Sequence, residues 1–216
     1  MLKRIIIVAG GNPGLWPSLD LFSKENVWVG VDRGSLFLIE HGIHPQLAIG
    51  DFDSLSSEEY QKVVKYSQEI IAAQPEKDHT DTELAVLECL IRYPNIPLTL
   101  LGFSGGRLDH FLAKLYLPFL IDQLASAPLL TLIDSQNTLT YYLPGRHSVS
   151  KESGKKYLAF ICLSSVTDFS ISGAKYSLAK TDVAFPKSYA SNEFIGSDVS
   201  FEFSSGLVAV VQSCDK

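Results

Sequence analysis

The sequence of 216 residues is poor in cysteine and lacks any long apolar run. Cys89, Cys162 and Cys214 are odd in number and far apart. They predict neither a disulfide framework nor a thiolate zinc site, and they are typical of a protein of the reducing cytoplasm. No apolar run approaches the roughly 20 residues that a membrane span needs. The first run, 5–9, ends in two glycines and predicts a β-strand rather than a secretion signal.

Basic residues are also scarce relative to acidic ones. The chain carries 18 Lys and Arg against 24 Asp and Glu, a net charge of −6. Residues 1–144 contain 10 basic and 17 acidic residues, whereas 145–216 contain 8 and 7, so the acidic excess lies in the first part. This balance argues against a nucleic-acid partner, which requires a basic face. It is compatible with metal cations or a cationic substrate, and equally with ordinary surface solubility.

The first part of the chain alternates strand-like and helix-like segments. The predicted strands are 4–9, 27–32, 47–50, 69–73, 98–102 and 129–133, and the predicted helices are 35–41, 56–66, 80–93 and 108–124. Ser56 with Glu59, and Thr80 with Glu83, have the spacing of capping boxes. Strands alternating with helices imply a largely parallel sheet with helices on both faces.

The pattern changes after about residue 143. Helical periodicity disappears, and short strand-like runs alternate with turn-rich segments. The predicted strands of this part are 157–163, 167–171, 175–178, 198–203 and 207–212. We therefore expect an α/β domain with a parallel sheet at 1–143 and an all-β domain of the sandwich type at 144–216.

Charged side chains follow four successive strands of the predicted parallel sheet. In such sheets, ligands bind at the carboxyl ends of the strands. The charged residues of these loops are Asp32 and Arg33, then Asp51 and Asp53, then Lys77, Asp78 and Asp81, and finally Arg107, Asp109 and His110. Because all four loops lie at the same edge of the sheet, we expect these side chains to converge there.

The pair Asp51 and Asp53 is the clearest candidate for a metal site. In an extended segment, side chains two residues apart project to the same side. Two carboxylates held so close repel each other unless a cation lies between them, and Mg²⁺ takes one or two carboxylates plus phosphate oxygens. Alternatively, the two aspartates accept hydrogen bonds from the backbone of a turn. Asp81 is likewise favoured at a helix N-terminus whatever its function.

Basic residues among these acids indicate phosphate. Arg107 follows two glycines, and its guanidinium suits bidentate contact with phosphate. Lys77 shares a loop with two aspartates, where the lysine can meet phosphate while the aspartates meet metal. His110 on its own is more typical of a cap or a packing residue. The glycine-rich segment 10–14 matches neither the dinucleotide-binding fingerprint nor the P-loop pattern.

Taken in order, these loops resemble those of the bacterial thiamine pyrophosphokinases. The stretches that carry the resemblance are 31–34 (VDRG), 50–54 (GDFDS), 77–81 (KDHTD), 105–110 (GGRLDH) and 191–193 (SNE), with Gly206 near the end. The match covers nearly the whole chain, with order and spacing intact. Two positions depart from the family pattern: Lys114, where the family often has Asn, and Arg33, where many members have Gly. Neither change touches a carboxylate.

The resemblance implies that thiamine and ATP react to give thiamine diphosphate and AMP, with Mg²⁺ as cofactor. It also implies a homodimer in which the α/β domain binds ATP and metal, and the β domain helps to hold thiamine at the subunit interface. By this analogy Asp51, Asp53, Asp81 and Asp109 bind metal and act in catalysis with Arg107; Asp32, Arg33, Lys77, Asp78, Thr80, Arg107 and His110 bind ATP; and Ser191 and Asn192 bind thiamine. Either Asp53 or Asp81 would accept the proton of the thiamine hydroxyl.

Three other functions remain as alternatives. A phosphatase with an aspartyl nucleophile has a D-x-D pair, but usually after the first strand and with Thr two residues on, where this chain has Leu55. A nucleotide- or thiamine-binding sensor without turnover is a second, although binding a polyanion rarely needs so many carboxylates. A kinase that releases ADP is the third.

Overall fold

The computed structural model describes residues 4–23, 25–73, 79–120 and 124–215. The chain divides into two units, Met1–Ser135 and Gln136–Lys216. The sequence pattern predicts a later domain boundary, at 143, because the turn signal Pro144-Gly145 comes after one further strand. Within the described ranges, no helix is long and apolar enough to cross a membrane.

The first unit is built on a parallel sheet. Its strands are β1 (Ile5–Val8), β2 (Val27–Val31), β3 (Leu47–Gly50), β4 (Glu69–Ala72), β5 (Leu98–Leu101) and β6 (Leu130–Ile133). Their order is β6-β5-β1-β2-β3-β4, and neighbouring strands run parallel. Every residue of β1, β3 and β5 is buried, as expected where helices cover both faces. The predicted parallel α/β architecture is confirmed.

Five α-helices of the described chain accompany this sheet. They are α1 (Arg33–Glu40), α2 (Ser57–Tyr66), α3 (Asp81–Arg92), α4 (Leu108–Leu115) and α5 (Leu117–Leu120). Both predicted capping boxes are present, at the N-termini of α2 and α3. Each box satisfies two backbone N–H groups that would otherwise lack a partner within the helix, and thereby fixes where the helix begins.

The prediction of one helix over 108–124 is wrong. α4 ends at Leu115, α5 covers Leu117–Leu120, and a 3₁₀ helix follows at Leu124–Leu129. Pro118 has no N–H to donate to the carbonyl of Lys114, and its ring crowds the preceding turn, so the helical ladder breaks at this position. The apolar periodicity of the segment continues across the break, which is why the sequence pattern suggests one helix.

The second unit consists of two antiparallel sheets, ordered β12-β9-β14-β7 and β11-β10-β13-β8. The strands are β7 (Asn137–Tyr142), β8 (Gly145–Ser150), β9 (Tyr157–Cys162), β10 (Val166–Ser172), β11 (Leu178–Val183), β12 (Lys187–Glu193), β13 (Asp198–Phe203) and β14 (Val208–Ser213). A core cluster joins the two sheets: Phe160 comes from one, and Phe169, Phe201 and Phe203 come from the other. The predicted sandwich is confirmed.

Several strands of the second unit escaped prediction. The predicted strand at 175–178 is wrong, since β11 begins only at Leu178. β8 and β12 were not predicted, and each buries a single residue, Val149 and Asn192 respectively. These are strands at sheet edges with mostly solvated side chains, so they lack the apolar alternation that identifies a half-buried strand. β7 was also missed, although it alternates Leu139 and Tyr141 with threonines.

Thiol reactivity offers a test of the packing of the three cysteines. Cys89 and Cys162 are buried, whereas Cys214 is half-buried. Burial raises the pKa of Cys89 to about 12 and that of Cys162 to about 11, so both thiols stay protonated at about pH 8 and are shielded from reagent. We expect the native protein to react with Ellman's reagent at one thiol, and at three after denaturation. Cys214→Ser should abolish the native reaction; a second fast thiol in the native protein would contradict this packing.

Candidate functional site

A cleft of about 450 Å³ opens at the carboxyl edge of the parallel sheet. The strand order reverses here, because β2, β3 and β4 lie to one side of β1, while β5 and β6 lie to the other. Ligands of open parallel sheets bind at such a reversal. The predicted residues that line the cleft are Asp32, Arg33, Asp53, Arg107 and His110. The expectation that loops distant in sequence share one rim is met for these five.

Glycines bring the ends of β1 and β5 together at the floor of the cleft. A Cβ on Gly11 would lie 2.2 Å from the carbonyl oxygen of Gly102, and one on Gly102 would lie 2.3 Å from that of Ala9. Gly102 also has a φ of 70°, which favours glycine. The glycine-rich segment after β1 therefore contributes close backbone packing to the site. The sequence does not predict this role, because the segment matches no known phosphate-binding pattern.

Three carboxylates meet beside this cleft. Asp32 lies between β2 and α1, Asp51 follows β3, and Asp81 is the first residue of α3. One carboxylate oxygen of each residue lies within 4.8 Å of those of the other two. Three negative charges this close repel one another unless a cation lies between them. Oxygen ligands so arranged fit a divalent cation such as Mg²⁺, which completes its shell with water or phosphate oxygens.

The loop after β3 holds an uncommon backbone conformation. Phe52 has a φ of 56°, and Asp32 opposite has a φ of 48°, values that residues other than glycine seldom adopt. The ring of Phe52 is buried with Val63 of α2, which anchors the loop. The Phe52 N–H donates to Oδ1 of Asp32 at 3.4 Å, and the Asp53 N–H donates to Oδ1 of Asp51 at 3.1 Å. The alternative interpretation of Asp51 as a turn residue is thus also correct.

Gly50 leaves room for the Asp32 carboxylate. A Cβ at position 50 would lie 1.8 Å from Oδ1 of Asp32, so Gly50→Ala must push that carboxylate away. We expect Gly50→Ala to weaken the binding of Mn²⁺, used in place of Mg²⁺, at least about 10-fold, because even the loss of a group that only supports a metal ligand typically costs that much in metal affinity. Electron paramagnetic resonance titration measures it. Gly42→Ala is the matched control, because Gly42 also has a positive φ, of 72°, whereas a Cβ there meets nothing within 4 Å. Unchanged Mn²⁺ affinity in Gly50→Ala would refute the assignment of Asp32 as a metal ligand.

The predicted metal set and the observed carboxylate set differ. The structure brings together Asp51 and Asp81 of the four predicted ligands and adds Asp32, which was predicted to contact ATP. Among the described residues, neither Asp53 nor Asp109 joins this group. Asp53 lines the cleft instead. A metal-binding role for these two remains a prediction.

Asp109 pairs with a neighbouring guanidinium rather than with the carboxylate group. Arg107 donates from Nε to Oδ1 of Asp109 at 3.1 Å, and both side chains are exposed. This pairing holds the pKa of the Asp109 carboxyl below its ordinary value and raises the pKa of Arg107. Arg107 lines the cleft immediately before α4, and Asp109 is paired with it in the first turn of that helix.

Further cations complete the lining of the cleft. Lys114 lies one turn beyond His110 on α4, and burial lowers the pKa of its ammonium group. Arg33 lines the opposite side and is bound to Glu59 at 3.2 Å. In the sequence, Lys114 stands out only as a departure from the family pattern. Lys114 follows His110 by four residues, and residues at this spacing share one face of a helix, so the spacing is the signal that places Lys114 at the same rim.

Two predicted residues of the loop before α3 lie outside the described residues, namely Lys77 and Asp78. Thr80 is described, and its side chain accepts a hydrogen bond from the Glu83 N–H at 3.3 Å as the N-cap of α3. Its proposed contact with ATP remains a prediction.

Asp134 is a buried acid beside the site that is not among the residues predicted from the sequence. It follows β6, is 6% exposed, and accepts a hydrogen bond of 2.6 Å from Oγ of Ser104, which lines the cleft. The rule that identified the other acids would have found it, since β6 ends at the same edge of the sheet. We infer that Asp134 orients Ser104.

The two predicted thiamine contacts lie on β12 in the second unit. Ser191 is exposed and has a φ of 60°, inside an irregular stretch of the pairing between β12 and β9. Asn192 is 3% exposed, and its side chain is bonded to the backbone of Tyr176: Oδ1 accepts from the N–H at 2.9 Å, and Nδ2 donates to the carbonyl at 2.8 Å. The Asn192 side chain therefore holds the segment around Tyr176, so any effect of Asn192 on a ligand would act through that segment. Both binding roles remain predictions.

Two family models match this chain. Residues 19–126 match "Thiamin pyrophosphokinase, catalytic domain", and residues 146–208 match "Thiamin pyrophosphokinase, vitamin B1 binding domain". The two matches fall in the first and the second structural unit respectively.

Full-length relatives agree with these matches. The chain is 35% identical to thiamine pyrophosphokinase of Bacillus subtilis (strain 168) over 217 residues, which cover 99% of this chain and 100% of the relative. The crystal structure of a thiamin pyrophosphokinase family protein from Enterococcus faecalis is similar with a TM-score of 0.93 at 45% identity, covering 99% of this chain and 100% of that one. The crystal structure of the Bacillus subtilis enzyme gives a TM-score of 0.86 at 32% identity, with the same coverage.

Proposed function

This chain belongs to the thiamine pyrophosphokinase family, and from that premise we propose that the cleft of the first unit holds ATP and a divalent cation during the family's reaction. That reaction transfers the pyrophosphoryl group of ATP to the hydroxyl of thiamine and yields thiamine diphosphate and AMP. The observation that carries the proposal is the group formed by Asp32, Asp51 and Asp81 beside a cleft lined with basic side chains.

Asp32, Asp51 and Asp81 would hold the cation, which we take to be Mg²⁺. When bound, Mg²⁺ neutralises oxygens of the triphosphate. The fit rests on the donor set, since three carboxylates within 4.8 Å offer the hard oxygen ligands that Mg²⁺ prefers.

The basic lining of the cleft would position the triphosphate. Arg107, His110 and Lys114 all come from α4 or the residue before it, and all line the cleft. Enzymes that transfer phosphoryl groups act mainly by positioning and by neutralising charge. These basic side chains would hold the β- and γ-phosphates so that the β-phosphorus faces the incoming hydroxyl, with its bond to the oxygen of the departing AMP on the opposite side.

Asp53 is the carboxylate that we propose as proton acceptor. It lines the cleft, and it stands apart from the group that would bind metal. As the thiamine oxygen bonds to the β-phosphorus and AMP departs, a carboxylate oxygen of Asp53 would take the hydroxyl proton. Between the two candidates of the sequence analysis, this favours Asp53 over Asp81.

The second unit would bind thiamine. Its match to the vitamin B1 binding domain supports this, together with the exposed Ser191 next to Asn192 on β12. We further propose that the enzyme is a homodimer with thiamine at the subunit interface, as the family resemblance implies. A cytoplasmic location is our proposal from the three cysteines, which carry no disulfide.

The alternatives lose support. Two matched domains of one family, in the expected order, favour turnover over a binding sensor. A D-x-D phosphatase requires both aspartates at one phosphate, whereas Asp51 groups with Asp32 and Asp81, and Asp53 is outside that group.

Product identification tests the reaction. The protein is incubated with ATP, Mg²⁺ and thiamine, and the products are identified by mass spectrometry. We expect thiamine diphosphate and AMP in equal amounts, and no product when EDTA removes the metal. Thiamine monophosphate with ADP would identify a kinase, free phosphate a phosphatase, and binding without turnover a sensor; each of these outcomes would refute the proposal.

A further inference from the structure

Arg33 lines the cleft, but its guanidinium is occupied by the protein itself. Nη1 lies 3.2 Å from Oε1 of Glu59, and Nη2 lies 3.4 Å from Oε2 of the same carboxylate. Nη2 also donates to the carbonyl oxygen of Ser54. A side chain predicted to contact ATP is therefore already bound to oxygens of the loop after β3 and of α2.

Glu59 is itself fixed by the start of α2. Oε2 of Glu59 accepts a hydrogen bond from the Ser56 N–H at 2.8 Å, and the Glu59 N–H donates to Oγ of Ser56 at 3.3 Å. These bonds and the guanidinium hold the pKa of Glu59 below its ordinary value, so the carboxylate is charged at neutral pH. The partner of Arg33 is thus a charged carboxylate that is hydrogen-bonded to the N-terminus of α2.

The contacts of Arg33 link the parts of the carboxylate group. Its backbone directly follows Asp32, and its side chain holds Ser54, in the loop that carries Asp51 and Asp53. The same loop is tied at its end to Glu59 through Ser56. One side chain therefore connects the backbone of Asp32 to the far end of the loop that presents Asp51.

We propose that Arg33 is a positioning residue, which through Glu59 and Ser54 sets the spacing between Asp32 and Asp51 and hence the affinity for the divalent cation. This inference rests on the proposed function, in which those carboxylates bind the metal. A guanidinium suits the role because its planar fork offers several N–H groups in fixed directions, enough for a carboxylate and a carbonyl together. A lysine ammonium is a point charge and cannot span both partners in this geometry.

The competing assignment makes Arg33 a direct phosphate contact. A phosphate contact would depend on Arg33 and hardly on Glu59, and it would be seen as a higher KM for ATP. A positioning role would depend on Glu59 as well as on Arg33, and it would be seen in metal affinity without nucleotide.

A double-mutant cycle separates these two roles. Mn²⁺ binding without nucleotide is measured by electron paramagnetic resonance for the wild type, Arg33→Met, Glu59→Gln, the double variant and Arg33→Lys. We expect each single variant to weaken Mn²⁺ binding about 10-fold, as is usual when the support of a metal ligand is lost. The double variant should bind no more weakly than Arg33→Met, because Arg33→Met already removes the contact with Glu59. Arg33→Lys should fail to restore affinity.

A second ion pair of the first unit supplies the matched control. Arg92 of α3 forms a fork with Glu69, at 2.7 and 2.8 Å, away from the cleft lining. Arg92→Met removes a bidentate pair of the same kind and should leave Mn²⁺ affinity unchanged. Thermal unfolding of every variant verifies that the fold is retained.

The outcomes distinguish failure of this inference from failure of the proposed function. If Asp51→Asn weakens Mn²⁺ binding but Arg33→Met and Glu59→Gln do not, the positioning role is refuted and the metal site stands. If Asp51→Asn also leaves Mn²⁺ binding unchanged, the proposed metal site is refuted as well. A raised KM for ATP in Arg33→Met alone, with wild-type Mn²⁺ affinity, would assign Arg33 to phosphate.

Discussion

Replacement of Asp81 by Asn should lower kcat about 10²–10³-fold and leave the fold intact. The variant loses a ligand of the cation that neutralises charge in the transition state, and losing one such stabilising interaction typically has that effect. Asp81 belongs to the group of three carboxylates, and Asn keeps its size while removing its charge. Asp51→Asn should behave in the same way. The N-terminus of α3 should persist in Asp81→Asn, because its capping box is formed by Thr80 and Glu83.

Steady-state formation of thiamine diphosphate, measured at saturating thiamine and ATP, gives kcat for these variants. Asp20→Asn is the matched control, because Asp20 is an exposed aspartate of the same unit outside the carboxylate group. Asp109→Asn should have a smaller effect, since Asp109 is paired with Arg107. Wild-type kcat in Asp81→Asn, or an equal loss in Asp20→Asn, would refute the role of the carboxylate group.

The parallel sheet could be predicted from the sequence because three of its strands are buried at every residue. The residues of β1, β3 and β5 are all apolar or small, and the capping residues of α2 and α3 mark helix starts by local hydrogen bonds. The edge strands β8 and β12 depend on pairing with distant strands, and their solvated side chains leave no periodic signal. The buried strands and the capped helix starts are therefore marked by local sequence, whereas the edge strands are determined by pairing with distant parts of the chain.

The convergence of the acids was predictable, but the membership of the group was not. The expectation for Asp51 and Asp53 assumed an extended segment, in which both side chains point the same way. The positive φ of Phe52, whose ring anchors the loop in the core, breaks that alternation. Asp32, and not Asp53, is the third member of the carboxylate group, because Gly50 leaves space for the Asp32 carboxylate. Such departures depend on the packing of one aromatic ring, which spacing alone does not reveal.

Truncation of Phe160 should cause the largest loss of stability in the second unit, about 3–5 kcal/mol. Its ring is fully buried on β9 and contacts Phe169 at 6.0 Å and Phe201 at 5.1 Å between ring centroids, both from the opposite sheet. Phe160→Ala therefore leaves a cavity where the two sheets meet. Guanidinium unfolding followed by circular dichroism measures the change.

Phe185→Ala is the control for that experiment, because Phe185 is 79% exposed and its truncation should change stability by less than about 0.5 kcal/mol. β12, which carries Ser191 and Asn192, pairs with β9, the strand of Phe160. We therefore expect Phe160→Ala to raise the KM for thiamine while Mn²⁺ affinity, which belongs to the first unit, stays unchanged. Equal losses of stability in the two variants would refute the role of Phe160 in stabilising the β-sandwich. A loss of Mn²⁺ affinity in Phe160→Ala would refute the expectation that its effect is confined to the second unit.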